Sequence, residues 1–215
     1  MILGTMEPRP SSAQGRMMGF LVLLFLVVDV ALKDPADREE AMWACYWAAA
    51  SVGVGILVHS IRLIAAGAIF LAGLGVPAWS VSILMDGKTE ITSVLMHLIP
   101  LGIGLYAVTR AAEVPKHPGT LAWLLFGVPF ALAWQFCDPA AAINLSHWTR
   151  WPVPALMPHI WLFYAMVLLG SAGLIRLSEL GIRAAVTFRV NTGCRDEGRP
   201  PGAFRSGPVV HDKVQ

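Results

Sequence analysis

Six stretches of the chain are almost uninterruptedly apolar: Met17–Leu32, Ala41–Val58, Leu63–Leu84, Ile91–Thr109, Thr120–Cys137 and Ala155–Ile175. Each comes close to the roughly 20 apolar residues that carry a helix across a bilayer. The pattern predicts an all-α bundle of six transmembrane helices over 17–175. The first run is the shortest and has the length of a signal-peptide core. Cleavage after Ala31 would put Asp29 where a small neutral residue is wanted, so the run reads as a retained helix.

Polar residues collect in the connections. His59–Arg62 reads as a tight turn, and Val114–Gly119, with two prolines and a glycine, as a second loop on the same side. Asp138–Pro154 is the longest connection and carries the most hydrogen-bonding groups, including Asn144 and His147. Beyond Ile175 the helix is expected to run on over 176–190, where Leu177, Leu180, Ile182, Ala185 and Val186 stand among three arginines, as suits a helix resting at the membrane interface. From Asn191 onward Gly, Pro and Arg dominate, which predicts a flexible basic tail over 191–215, opposite a short N-terminal segment over 1–16.

Composition agrees with the pattern. Of 215 residues 56% are apolar and only 14% charged, and the mean hydropathy is +0.62. A soluble domain carries about 25% charged residues, so a disordered chain and an ordinary water-soluble enzyme are both excluded. The net charge of +2 gives no case for nucleic acid as a partner. Three cysteines without CxxC spacing exclude a zinc ribbon or a disulfide scaffold. Cys45 and Cys137 approach the same end of the bundle, either bonded or as buried thiols. Of the 16 Lys and Arg, 12 fall on the side that holds both termini in a six-span arrangement. By the positive-inside rule that side is cytoplasmic, and the expected location is a bacterial inner membrane.

Ionisable groups inside the apolar runs mark candidate chemistry, because the bilayer makes them costly. His97 lies roughly 9 Å below the outer end of its run, three residues before Pro100, whose ring loosens the helix. It is a candidate base or ligand, or else a histidine held for packing alone. His159 lies roughly 6 Å from the outer end of the last run. At similar depths, His97 and His159 are placed as an axial haem or metal pair would be. Asp29 is placed to raise a histidine's basicity, or to face water at the interface. Gln135 and Trp161 complete the candidate ligand-binding set. Seven of eight tryptophans fall toward the outer side, either as an aromatic belt or as walls around a flat or acyl-chain ligand. By contrast, the inner halves of the runs hold only His59 and Arg62, at a turn.

Several chemistries are absent from the sequence: no GxSxG elbow, no P-loop, no GxGxxG after a strand, no CxxCH. No run contains lysine for a retinal Schiff base, and none carries an arginine ladder for voltage sensing. Internal repeats are not evident, which sets a transporter lowest.

From Met96 to Pro154 the chain resembles the YwaF-like bacterial integral membrane proteins, relatives of a eukaryotic membrane acyltransferase. The resemblance lies in His97 with its following proline, the Arg110…Pro115…Gly119 loop and the Asp138…Asn144 segment. The family's Asn-Tyr pair reads Asn144-Leu145 in this chain. The androgen-induced-gene type of membrane hydrolase also has a histidine on its fourth span, but needs a threonine nucleophile on an early one. Only Ser51 stands in the first two spans. The resemblance implies lipid chemistry centred on His97; Asp29, outside the resembling stretch, is the second catalytic candidate by its own place in the first run. Two expectations follow. The first is a small subunit of a membrane complex, embedded in the lipid bilayer beside partner subunits and holding haem, pigment, quinone or lipid through histidine. The second is an enzyme or binding protein for a lipid-like ligand.

Overall fold

A computed structural model describes residues 12–33, 41–86, 91–111, 114–137 and 159–197. All the regular structure among them is helical, in the order α1 (Ser12–Leu32), α2 (Ala44–Leu57), α3 (Ile61–Phe70), α4 (Val76–Asp86), α5 (Ile91–Arg110), α6 (Pro118–Phe136) and α7 (Ile160–Glu197). A wide π-helical turn, Leu71–Gly75, joins α3 to α4, so the two form one rod. Five stretches are long and apolar enough to cross a membrane: 13–32, 61–81, 91–110, 118–136 and 161–192. The chain is thus a multi-pass helical membrane protein.

The second apolar run is the exception. As a helix it starts only at Ala44 and has 14 residues, about 21 Å of rise, short of the roughly 30 Å hydrocarbon core. It ends in a turn where His59 takes a left-handed φ of 55° and Ser60 caps α3, accepting from the Leu63 N–H at 3.4 Å. Helix α2 is wedged between α1 and α3 and also touches α5 and α6. A helix surrounded by protein need not match the bilayer thickness.

Small residues allow this close approach. A Cβ built on Gly67 would lie 2.5 Å from both the Ala48 carbonyl oxygen and Ser51 Oγ, so α3 runs almost backbone to backbone against α2. Gly19 meets Gly53 in the same way between α1 and α2. Because lipid removes the hydrophobic incentive for helices to associate, close van der Waals contact of this kind drives association instead. The largest core group runs through Val52, Ile64, Ile69, Phe70, Leu71, Val108, Phe126 and Ile175.

The π turn has a local cause. Pro77 has no N–H to give, and just before it the Val76 N–H bonds Leu71 O, one residue further back than in an α-helix. The widened turn presents Gly73 to α7, where an added Cβ would meet Ser178 Oγ at 2.5 Å and Leu174 O at 2.9 Å.

The last apolar run continues past Ile175 into the segment read as interfacial without a break. Helix α7 is continuous from Ile160 to Glu197, so it extends past Val190 into the stretch read as tail. Backbone hydrogen bonds extend a helix into water without an apolar face, and Thr192 Oγ1 adds bonds to the Phe188 and Arg189 carbonyls, both at 3.0 Å. The expected connection Asp138–Pro154, with Asn144 and His147, lies outside the described residues, as do 1–11 and 198–215.

Candidate functional site

The polar groups of the apolar runs sort to the two ends of the bundle. At one end, α1, α2, α4 and α5 bring together Asp29, Tyr46, Trp79, Ser93 and His97. Asp29 is only 4% exposed, and the Tyr46 hydroxyl donates a hydrogen bond to its carboxylate. His97 is likewise 4% exposed. Its ring stacks on the Trp79 indole, with centroids 4.9 Å apart and planes 16° from parallel. The indole N–H is itself held, donating to Ser93 Oγ at 2.9 Å. The Asp29 carboxylate lies close enough to the imidazole for direct electrostatic interaction. Leu26, Ala49 and Met96, with Leu23 and Trp43 against them, form an apolar collar around the group.

The tautomer of His97 follows from one contact. Its Nδ1 lies 2.8 Å from the Ser93 carbonyl oxygen, which can only accept, so Nδ1 carries the proton. In the neutral ring Nε2 then holds the lone pair and is the atom able to accept a hydrogen bond or coordinate. Fixing one nitrogen on a backbone carbonyl is how proteins orient a ligating or proton-accepting histidine.

Two of the five candidate residues converge, and three do not. Asp29 and His97 are neighbours, whereas His159, Gln135 and Trp161 are all exposed, Trp161 to 73%. No hydrogen bond, ion pair or ring contact among the described residues joins any of these three to His97. His97 is buried while His159 is exposed, and the two share no contact. His159 stands at the start of α7, where its carbonyl accepts from the Leu162 and Phe163 N–H groups as a helix-start residue does. Trp161 packs at its edge on Tyr164. Trp47 and Trp134 are also exposed, in keeping with an aromatic belt, while Trp79 has turned inward as a wall. No disulfide joins Cys45 to Cys137. Ser51, the one hydroxyl considered as a nucleophile, donates to the Ala48 carbonyl at 2.9 Å and serves packing.

The apolar crevice between α1 and α5, lined by Val22, Leu26, Met96 and Pro100, has about 10 Å³, about the room one water needs. His97 is not among the residues that line it. Nor do the described residues include three His, Cys, Asp or Glu grouped to hold a metal ion.

The opposite end of the bundle carries a group that sequence reasoning missed. Glu179 is buried on α7 and held by two arginines of its own helix. Arg176 Nη1 reaches one carboxylate oxygen at 2.7 Å, and Arg183 grips the other through Nε at 2.9 Å and Nη2 at 2.8 Å. Arg183 also donates to the Val114 and Pro115 carbonyls, at 3.3 and 2.8 Å. Further along, Arg189 donates to the Thr109 carbonyl at the end of α5. The signal was the R-x-x-E-x-x-x-R spacing, which puts all three side chains on one helical face.

Comparison with protein families, curated proteins and solved structures finds no match to this chain.

Proposed function

We propose that the chain is a small multi-pass subunit of a larger membrane complex in a bacterial inner membrane. In this reading both termini are cytoplasmic, and the Asp29–Tyr46–His97 centre lies in the outer half. It serves a hydroxyl-bearing amphiphile, a quinol or a lipid headgroup, whose hydroxyl donates to His97 Nε2. The carrying observation is the Nδ1–H bond to Ser93 O, which leaves Nε2 as the accepting nitrogen. Asp29 supports it by stabilising positive charge on the ring should a proton be taken up. The small size of the chain and its apolar, alanine- and glycine-rich spans favour a subunit. The YwaF-like resemblance, which also centres on His97, is part of the same proposal.

The test is purification in a mild detergent with native lipid retained. Native mass spectrometry would give the assembly, and extraction would give bound quinone and lipid per chain. The expected result is a partner protein together with a bound amphiphile that His97→Ala loses. A monomer carrying no such amphiphile, or a His97→Ala protein that keeps it in full, would overturn the reading.

A further inference from the structure

At the arginine-rich end a cavity of about 330 Å³ opens between α7 and the start of α6, lined by Lys116, His117, Thr120, Arg176, Glu179 and Arg183. Its size is at the lower limit of small-molecule sites, enough for a headgroup but not for a whole lipid. Three cations and one carboxylate line it, leaving two positive charges in surplus with His117 neutral. The carboxylate does not repel an incoming anion strongly, since Glu179 is bonded to both arginines and lies against the first turn of α6. A Cβ on Gly119 would come within 2.3 Å of its Oε2, and the positive end of the α6 dipole is at that turn.

The donors divide into spent and unspent. Arg183 uses Nε, Nη1 and Nη2 on Glu179 and on the loop carbonyls, so it is structural. Arg176 gives only Nη1 to Glu179 and its side chain is 63% exposed, leaving Nη2 and Nε. Lys116 and Thr120 are exposed at the rim. The unspent donors thus come from both helices around one opening, the arrangement that receives the several oxygens of a phosphate. The height also fits. Arg176 follows directly on the apolar run ending at Ile175, and Leu174, Leu177 and Leu180 are exposed around it, ready to meet acyl chains.

We infer that this cavity binds a phosphate group, held by Lys116, Arg176 and Thr120, with Arg183 and Glu179 fixing its walls. The source is either an anionic phospholipid headgroup of the adjoining leaflet or a free phosphate. Basic pockets between helices on the cytoplasmic side are where anionic headgroups are held. The inference is independent of His97 and stands or falls separately.

The full chain in detergent is offered phosphatidylglycerol, phosphatidylcholine or inorganic phosphate, and bound copies are counted by native mass spectrometry. Each basic side chain near such a headgroup contributes about a five-fold preference. Phosphatidylglycerol is therefore expected to exceed phosphatidylcholine, and the K116Q/R176Q double variant to lose roughly 25-fold of that excess. Both positions are exposed and Arg183 still holds Glu179, so the fold is kept; the melting temperature of the double variant checks this, and K116Q alone, expected to lose about five-fold, reads the site without touching Glu179. Saturable phosphate binding that the double variant loses, without lipid preference, supports the site and assigns it to free phosphate. Equal binding of the two lipids with no phosphate uptake overturns the inference, as does a double variant that retains the wild-type preference.

Discussion

Asp29 and Tyr46 form a buried carboxylate–phenol pair, and its two ends are not equivalent. Removing the donor leaves an acceptor-only group without that bond in a low-dielectric environment, at a cost of about 1–3 kcal/mol. Replacing the carboxylate by an amide keeps an acceptor for the phenol and removes the buried charge. Tyr46→Phe is therefore expected to lower the thermal unfolding temperature in detergent more than Asp29→Asn does. The reverse order would mean that the phenol, not the carboxylate, is the dependent partner. Asp29 and His97 were legible in the sequence because ionisable groups inside apolar runs are rare and need partners. Tyr46 and Trp79 were not, because an aromatic residue near the end of a span reads first as an interface anchor. Only the packing of α1, α2, α4 and α5 turns these two inward. His159 was read at a depth similar to that of His97, and Gln135 and Trp161 at the same end, but depth says nothing about which way a helix faces.

Among the elements, glycines divide into those that permit contact and those that do not. Gly67 faces backbone, with the Ala48 oxygen 2.5 Å from where a Cβ would go, whereas Gly102 has nothing within 4 Å. Gly67→Ala forces α2 and α3 apart and is expected to destabilise by about 1–3 kcal/mol. Gly102→Ala adds helix propensity without contact and is expected to be neutral or to stabilise by up to about 1 kcal/mol. Unfolding of the two variants side by side separates packing from propensity; equal losses would refute the close α2–α3 contact. Ser51 and Gly55 both face α3, since small residues four apart stack on one side of a helix. The π turn was not legible. Its cause combines Pro77 with the tertiary fit of Gly73 to α7, and apolar content alone does not distinguish an α turn from a π turn. The extension of α7 past Val190 was missed for a related reason: loss of apolar character ends a membrane span, not necessarily a helix.

Across the whole molecule, the two polar groups lie at opposite ends of the bundle. Asp29 and Tyr46 stand at the end of α1 and the start of α2, with His97 near the start of α5; the arginine group meets the end of α5 and the start of α6. That polarity agrees with the expected asymmetry, 12 of 16 basic residues on one side of a six-span arrangement, and makes orientation a property that bears on both proposals. If basic residues stay cytoplasmic, His97 serves the outer leaflet and the 330 Å³ cavity faces the inner one. Single cysteines placed in a cysteine-free background at Lys33 or Trp161 are expected to react with an impermeant maleimide in intact cells. Cysteines at Arg62 or Lys116 should react only after permeabilisation. Labelling of Arg62 and Lys116 from outside would invert the molecule: the phosphate cavity would then face the outer leaflet and the histidine the inner one. Reaction of all four from one side would break the alternation of spans. Orientation read this way needs no ligand, so it constrains both sites before either is tested.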